Sequence, residues 1–179
     1  MNISFNWLKE FLNIDIEIEK VSEILTDIGL EVEGIDEYQE IKGSLEGLLT
    51  GKVISCVKHP NADRLKLTTV DIGEESLLQI VCGAPNVESG QHVIVATIGT
   101  ILHPLNSDEF KINKSKIRGE LSQGMICAED EIGIGESHEG IIVLDKKYKP
   151  GTKVSKIIEN YKDFIFNIGL TPNRSDAMS

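Results

Sequence analysis

Four cations and no acid fall within the eight residues Lys111 to Arg118, in a chain whose formal charge is −11. The cations are Lys111, Lys114, Lys116 and Arg118, and three consecutive acids follow at Glu129, Asp130 and Glu131. Read as one regular strand, Ile112 to Arg118 alternates its side chains, so Lys114, Lys116 and Arg118 share one face. At about 3.3 Å per residue they span roughly 13 Å. A line of cations suits the oxygens of a phosphate backbone, which supply affinity and position without sequence information. The same residues have a second reading, an edge strand kept from aggregating by its lysines. The following acids either hold the basic row by local pairing or repel a second phosphate path.

Three further positions adjoin the row. Ser122, Gly124 and Met125 lie in SQGMIC, where Gly124 leaves the backbone open to close approach and Met125 offers a soft apolar surface. Upstream, His59-Pro60-Asn61-Ala62-Asp63-Arg64-Leu65 is a loop in which Pro60 fixes φ and Asn61 can cap a turn. It reads either as a structured connection or as a loop presenting His59, Asn61 and Arg64 to a ligand. In Val81-Cys82-Gly83-Ala84-Pro85-Asn86-Val87, a strand ends at Cys82, Gly83 is expected at positive φ, and Pro85-Asn86 turn the chain. The spacing Cys56-x-x-His59 resembles half of a zinc site, but structural zinc sites show two such pairs, and Cys82 and Cys127 are singletons. No metal site is expected. His92 and His103 lie away from any marked nucleophile, and no catalytic residue is expected either.

These residues need a scaffold. From about Leu48 to Leu144 short apolar segments alternate with turn chemistry: LLTGKVISCV, RLKLTTVDI, LLQIVC, HVIVATI, FKINKSKI, GMIC and GIIVL, separated by HPNAD, GEES, GAPNVESG, HPLNSDE and GESHEG. Short strands at this spacing predict a small barrel, and an OB-type barrel with extra strands fits the length. Gly119 and Gly124 are expected at bulges or barrel corners. The preceding residues differ. Ser4 is placed to cap a helix over FNWLKEFL with Trp7, Leu8, Phe11 and Leu12 on its apolar side. Ile18, Val21, Ile24, Leu25 and Ile28 predict a second helix ending at Gly29. LEVEGIDEY alternates as a half-buried strand does. After Pro150-Gly151, Val154, Ile157 and Ile158 predict a short helix, and DFIFNIGL a strand. Asn173-Arg174-Ser175-Asp176 looks like the opening of something larger.

Charge follows the same division. Residues 1 to 40 carry net −9, residues 41 to 150 net −3, and residues 151 to 179 net +1. An acidic head beside a balanced body points to two units. Three cysteines, an odd number, argue against a disulfide framework and for a reducing compartment. No apolar run is long enough to span a bilayer, and MNISFNWLKEFL lacks the features of a signal peptide. The expectation is a cytoplasmic chain.

HPNADRL, VCGAPNV and KIRGELSQGMICAEDEIGI, in this order, resemble the tRNA-binding domain of the EMAP type. MNISFNWLKEFL with ILTDIGLEVEGID, and LTPNRSD at the other end, resemble the amino-terminal part of the bacterial phenylalanyl-tRNA synthetase beta subunit family. The resemblance implies an α+β architecture in which an OB-fold domain, residues 40–151, is inserted into a small α+β unit formed by residues 1–39 and 152–179. That unit would run on into an editing domain. It further implies tRNA as partner, together with an alpha subunit in an (αβ)2 heterotetramer. The parent reaction attaches phenylalanine to its tRNA with ATP and magnesium, neither of which is expected to bind within these residues. Lys114, Lys116 and Arg118 would contact phosphates. Ser122, Gly124 and Met125 would shape the surface, and His59, Asn61 and Arg64 would line the neighbouring loop. One position departs from the pattern: the serine that usually follows the motif cysteine is Ala128 here. A free-standing dimeric tRNA-binding barrel, or an OB domain serving only as a packing module, are the competing readings.

Overall fold

The structure, a computed structural model, describes residues 1–170, so the Asn173-Arg174-Ser175-Asp176 stretch lies outside the described residues. In chain order its elements are β1 (Asn2–Ser4), α1 (Phe5–Phe11), α2 (Ile18–Asp27), β2 (Glu31–Gln39), β3 (Leu48–His59), β4 (Ala62–Asp71), β5 (Leu78–Cys82), β6 (His92–Thr97), β7 (Ile101–Leu102), β8 (Phe110–Lys111), β9 (Ser115–Ile117), β10 (Glu120–Ser122), β11 (Gly124–Ile126) and β12 (Lys162–Gly169). They form two compact units, Met1–Glu40 with the chain from Tyr161 onward, and Ile41–Asn160.

In the first unit the hydroxyl of Ser4 accepts the Trp7 amide at 2.9 Å and starts α1, as its cap chemistry predicts. The inward face of α1 is not the expected one. Phe5 and Leu8 pack into the core, Phe5 edge-on to Phe166 with ring centroids 6.0 Å apart, while Trp7 and Phe11 are 52% and 68% exposed. The helix has seven residues and one buried face. Residues three apart, 5 and 8, take that face, and 7 and 11, four apart, share another. In α2, Val21 is buried and Ile18 and Leu25 join the same core, whereas Ile24 and Ile28 are exposed. The strands form an antiparallel sheet in the order β1-β12-β2, with Phe166 opposite both Ile3 and Ile35.

Buried Asp163, near the start of the central strand β12, organises one end of this sheet. Its carboxylate accepts from the Ser4 hydroxyl, the Asn6 and Phe164 amides and the Tyr161 hydroxyl. Burial pushes its pKa up, yet the four hydrogen bonds to the charged form together prevail and hold it below the usual carboxylate range.

The second unit is a nearly closed antiparallel barrel of five strands in the order β11-β6-β3-β4-β5. The Gln123 amide donates to the Gln79 carbonyl at 2.8 Å, so the residue before β11 meets the free edge of β5. The run HVIVAT shows why periodicity fails here. Val93, Ile94, Val95 and Ala96 are all fully buried. Val93 and Val95 face Val53, Val70 and Ile80, while Ile94 and Ala96 face Leu48, Leu102, Ile112, Cys127 and Val154. A strand covered on both faces has no polar side to alternate with. The expected tail helix is a single 3-10 turn at Val154–Lys156, extended by the Ile158 amide to the Val154 carbonyl. The two units together are the expected α+β fold with an OB-type barrel.

Candidate nucleic-acid interface

The cationic stretch does not form one strand. Ile112 turns inward and is buried, donating its amide to the Thr100 carbonyl and accepting the Gly99 amide, each at 2.8 Å. Lys114 precedes β9, Lys116 lies within it opposite Leu121, and Arg118 follows it. Arg118 and Gly119 have φ of 51° and 102° and make the two-residue turn joining β9 to β10. Positive φ at both positions is the signature of a type I′ hairpin turn, whose twist matches that of the strands. The cations are therefore arranged by a hairpin and its tip, not by alternation along a single strand. All three are exposed, and none is in an ion pair among the described residues.

The acids that follow are engaged locally. Glu131 Oε2 accepts the Ala128 amide at 2.7 Å, and Asp130 pairs with His138. The hydrogen bond to Asp130 raises the His138 pKa. Neither acid neutralises the hairpin.

His59, expected to line a ligand-facing loop, is 5% exposed and serves the fold. Its Nδ1 accepts the Asn61 amide at 3.1 Å, and its Nε2 lies 3.1 Å from the Ile117 carbonyl oxygen. An amide N–H only donates, so Nδ1 carries the lone pair. The neutral ring then holds its proton on Nε2 and donates it to Ile117. Asn61 adds a second tie, Nδ2 to the Arg118 carbonyl at 3.2 Å. The β3–β4 loop thus grips the tip of the β9–β10 hairpin. Arg64, exposed near the start of β4, follows this loop; the ladder slips between Lys58 and His59, leaving residues 63 to 65 without ladder partners on β3. In OB folds the loops in these two positions flank the oligonucleotide-binding face.

Ser122, Gly124 and Met125 divide differently. Ser122 is 3% exposed, and its hydroxyl accepts the Val81 amide and donates to the Gly124 carbonyl. Gly124 is required by packing, since a Cβ there would lie 2.8 Å from the Ala96 carbonyl oxygen. Met125 alone keeps a half-exposed side chain. Of the nine candidate residues, Lys114, Lys116, Arg118, Arg64, Asn61 and Met125 remain at the surface.

The VCGAPNV loop is built by contacts that the sequence did not reveal. Asn86 donates from Nδ2 to the Ile141 carbonyl and accepts the Ile141 amide at Oδ1, both at 2.9 Å. Lys66 Nζ donates to the carbonyls of Pro85 and Val87. Gly83 does not take the expected positive φ. A Cβ there would meet Leu65 Cδ2 at 3.4 Å, an ordinary contact, so neither φ nor space requires glycine. Burial raises the pKa of the Cys82 and Cys127 thiols, which keeps both protonated within the core.

The profile of the family described as "Putative tRNA binding domain" matches residues 48–153. Over its whole length the chain is 56% identical to a phenylalanine–tRNA ligase beta subunit of Bacteroides fragilis and 48% identical to that of Porphyromonas gingivalis. It spans 22% of the length of each of these relatives. A MetRS related protein from Pyrococcus horikoshii superposes with a TM-score of 0.42 at 21% identity, over 59% of this chain and 86% of that one. With the matched residues running from the first barrel strand to beyond the last, and both motif-bearing loops among them, the chain belongs to this tRNA-binding domain family.

Proposed function

We propose that the barrel is an accessory tRNA contact within a phenylalanine–tRNA ligase beta subunit, and that these residues perform no catalysis. The observation that carries this reading is the cationic hairpin, Lys114, Lys116 and Arg118, exposed and without an ion pair among the described residues, and gripped by His59 and Asn61. Three or four phosphate contacts on an acidic protein give a weak, local and salt-sensitive attachment. Sequence identity over both units supports the ligase over a free-standing barrel. The aminoacylation chemistry, with its ATP and magnesium, belongs on this reading to the remainder of a cytoplasmic (αβ)2 enzyme that includes an alpha subunit. No helix among the described residues is long and apolar enough to cross a membrane.

The test is binding of tRNA to the 179-residue chain at low salt, read by gel shift or anisotropy. Lys114→Glu with Lys116→Glu is expected to weaken binding at least tenfold and to flatten the plot of log K against log salt by about two units. Unchanged affinity in this double variant would reject the hairpin as the contact.

A further inference from the structure

The motif that phosphate contact leaves unused is VCGAPNV. With the chain after β11 it encloses a cleft of 420 Å³. Val81 and Met125 give it apolar lining, and the Gly83–Pro85 and Gly140–Ile141 segments line it as well. Asn86 joins these two segments through its paired hydrogen bonds to Ile141. One half-buried carboxylate, Glu131, enters the cleft. Its Oε2 is occupied by the Ala128 amide, while Oε1 has no hydrogen-bond partner among the described residues. We infer that this cleft receives a single unstacked nucleobase carrying an exocyclic amino group, cytosine, adenine or guanine, in preference to uracil.

The chemistry sets the preference. A carboxylate oxygen only accepts, so the occupant must donate. The 4-amino group of cytosine, the 6-amino group of adenine and the 2-amino group of guanine do so, and glutamate accepting from cytosine N4 is a known pairing. Uracil presents a carbonyl oxygen where cytosine has its amine, and two acceptors face each other. The volume lies within the roughly 300–1,000 Å³ usual for small-ligand sites. The apolar lining, with half-exposed Met125 in it, suits the face of a base. Among the described residues no lysine or arginine lines the cleft, and Glu139 joins Glu131 there, which disfavours a phosphate. His138, hydrogen-bonded to Asp130, stands at the rim. Phosphates have the hairpin instead. Met125 in the cleft lining lies only four residues along the chain from Leu121, opposite Lys116, at most about 13 Å away. One strand of RNA can therefore place its backbone on the cations and a base in the cleft. Burial raises the Glu131 pKa, consistent with a site drier than the open surface.

The inference rests on the RNA-contact reading, so its test uses neutral nucleosides, which bypass the cations. The 179-residue chain is titrated with cytidine, adenosine and uridine and followed by amide NMR. Cytidine and adenosine are expected to shift the Gly83, Ala84, Met125 and Gly140 amides at concentrations about tenfold below uridine. Glu131→Gln retains an acceptor for Ala128 and offers uracil a donor, so the preference should close or invert. Equal responses to cytidine and uridine, or no shift at those amides, overturn the inference. So does a response to N-acetyl-lysine amide without a response to nucleosides, which would assign the cleft to a basic protein partner. Loss of tRNA affinity in the Lys114→Glu, Lys116→Glu variant alongside absent nucleoside discrimination would sink the cleft and leave the hairpin standing.

Discussion

His59 Nε2 donates to the carbonyl of Ile117, 3.1 Å away and 58 residues further along the chain. This bond, with that from Asn61 to Arg118, ties the cationic hairpin to the barrel. A two-stranded hairpin with three residues per strand is not stable alone. Its cations can act from a fixed position only if something holds its tip.

Replacing His59 by leucine keeps the bulk and removes both ring hydrogen bonds. Stability is expected to fall by about 1–2 kcal/mol. Amide exchange across residues 115–122 should quicken, and tRNA binding should weaken although no cation has changed. Unaltered exchange in the hairpin would show that the grip is not what orders it.

Arg118 separates charge from fold. It holds φ at 51°, which asparagine tolerates and a β-branched residue does not. Arg118→Asn creates the Asn-Gly pair that favours a type I′ turn, so the melting temperature should hold or rise while tRNA affinity drops. Arg118→Val should lose both. Undiminished affinity in Arg118→Asn would remove the tip cation from the interface.

Asp163 is expected to govern the first unit. Its carboxyl is held below the usual range, so the stabilisation is present above the unfolded aspartate pKa and is lost as pH falls through the lower folded value. Asp163→Ala should cost about 2–4 kcal/mol at pH 7, since the Ser4, Asn6 and Tyr161 donors lose their acceptor. The difference from the unaltered chain should narrow below about pH 4. Chemical denaturation at several pH values reads this, and a pH-independent difference would refute the assignment.

Glu131 runs in the opposite direction. Burial raises its pKa more than the Ala128 amide lowers it, so the folded form binds its proton the more tightly. Its contribution to stability is greatest below the unfolded glutamate pKa and declines as pH rises through the folded value. Glu131→Gln should therefore melt higher at pH 7, with the gain vanishing below about pH 4. A lower melting temperature at pH 7 would mean that the carboxylate, as an acceptor, outweighs its own desolvation.

Much of this was legible in the sequence because it is local. Ser4 caps α1 through an amide three residues away, and short apolar segments divided by turn residues announce a barrel. The concentration of charge between Lys111 and Arg118 needs no fold to be seen. Even the break in the strand left a trace. Ile112 and Ile117 are five apart, and one alternating strand would put them on opposite faces. What tertiary structure alone decided is which polar residues face inward. His59 and Ser122 look like surface groups in sequence, and both are buried because their partners, Ile117 and Val81, come from distant strands. The both-sided burial of Val93 to Ala96 and the cleft at Glu131 have the same origin. A hydrogen bond or packed contact across tens of residues leaves no periodicity in the chain, and only barrel closure brings its two ends together.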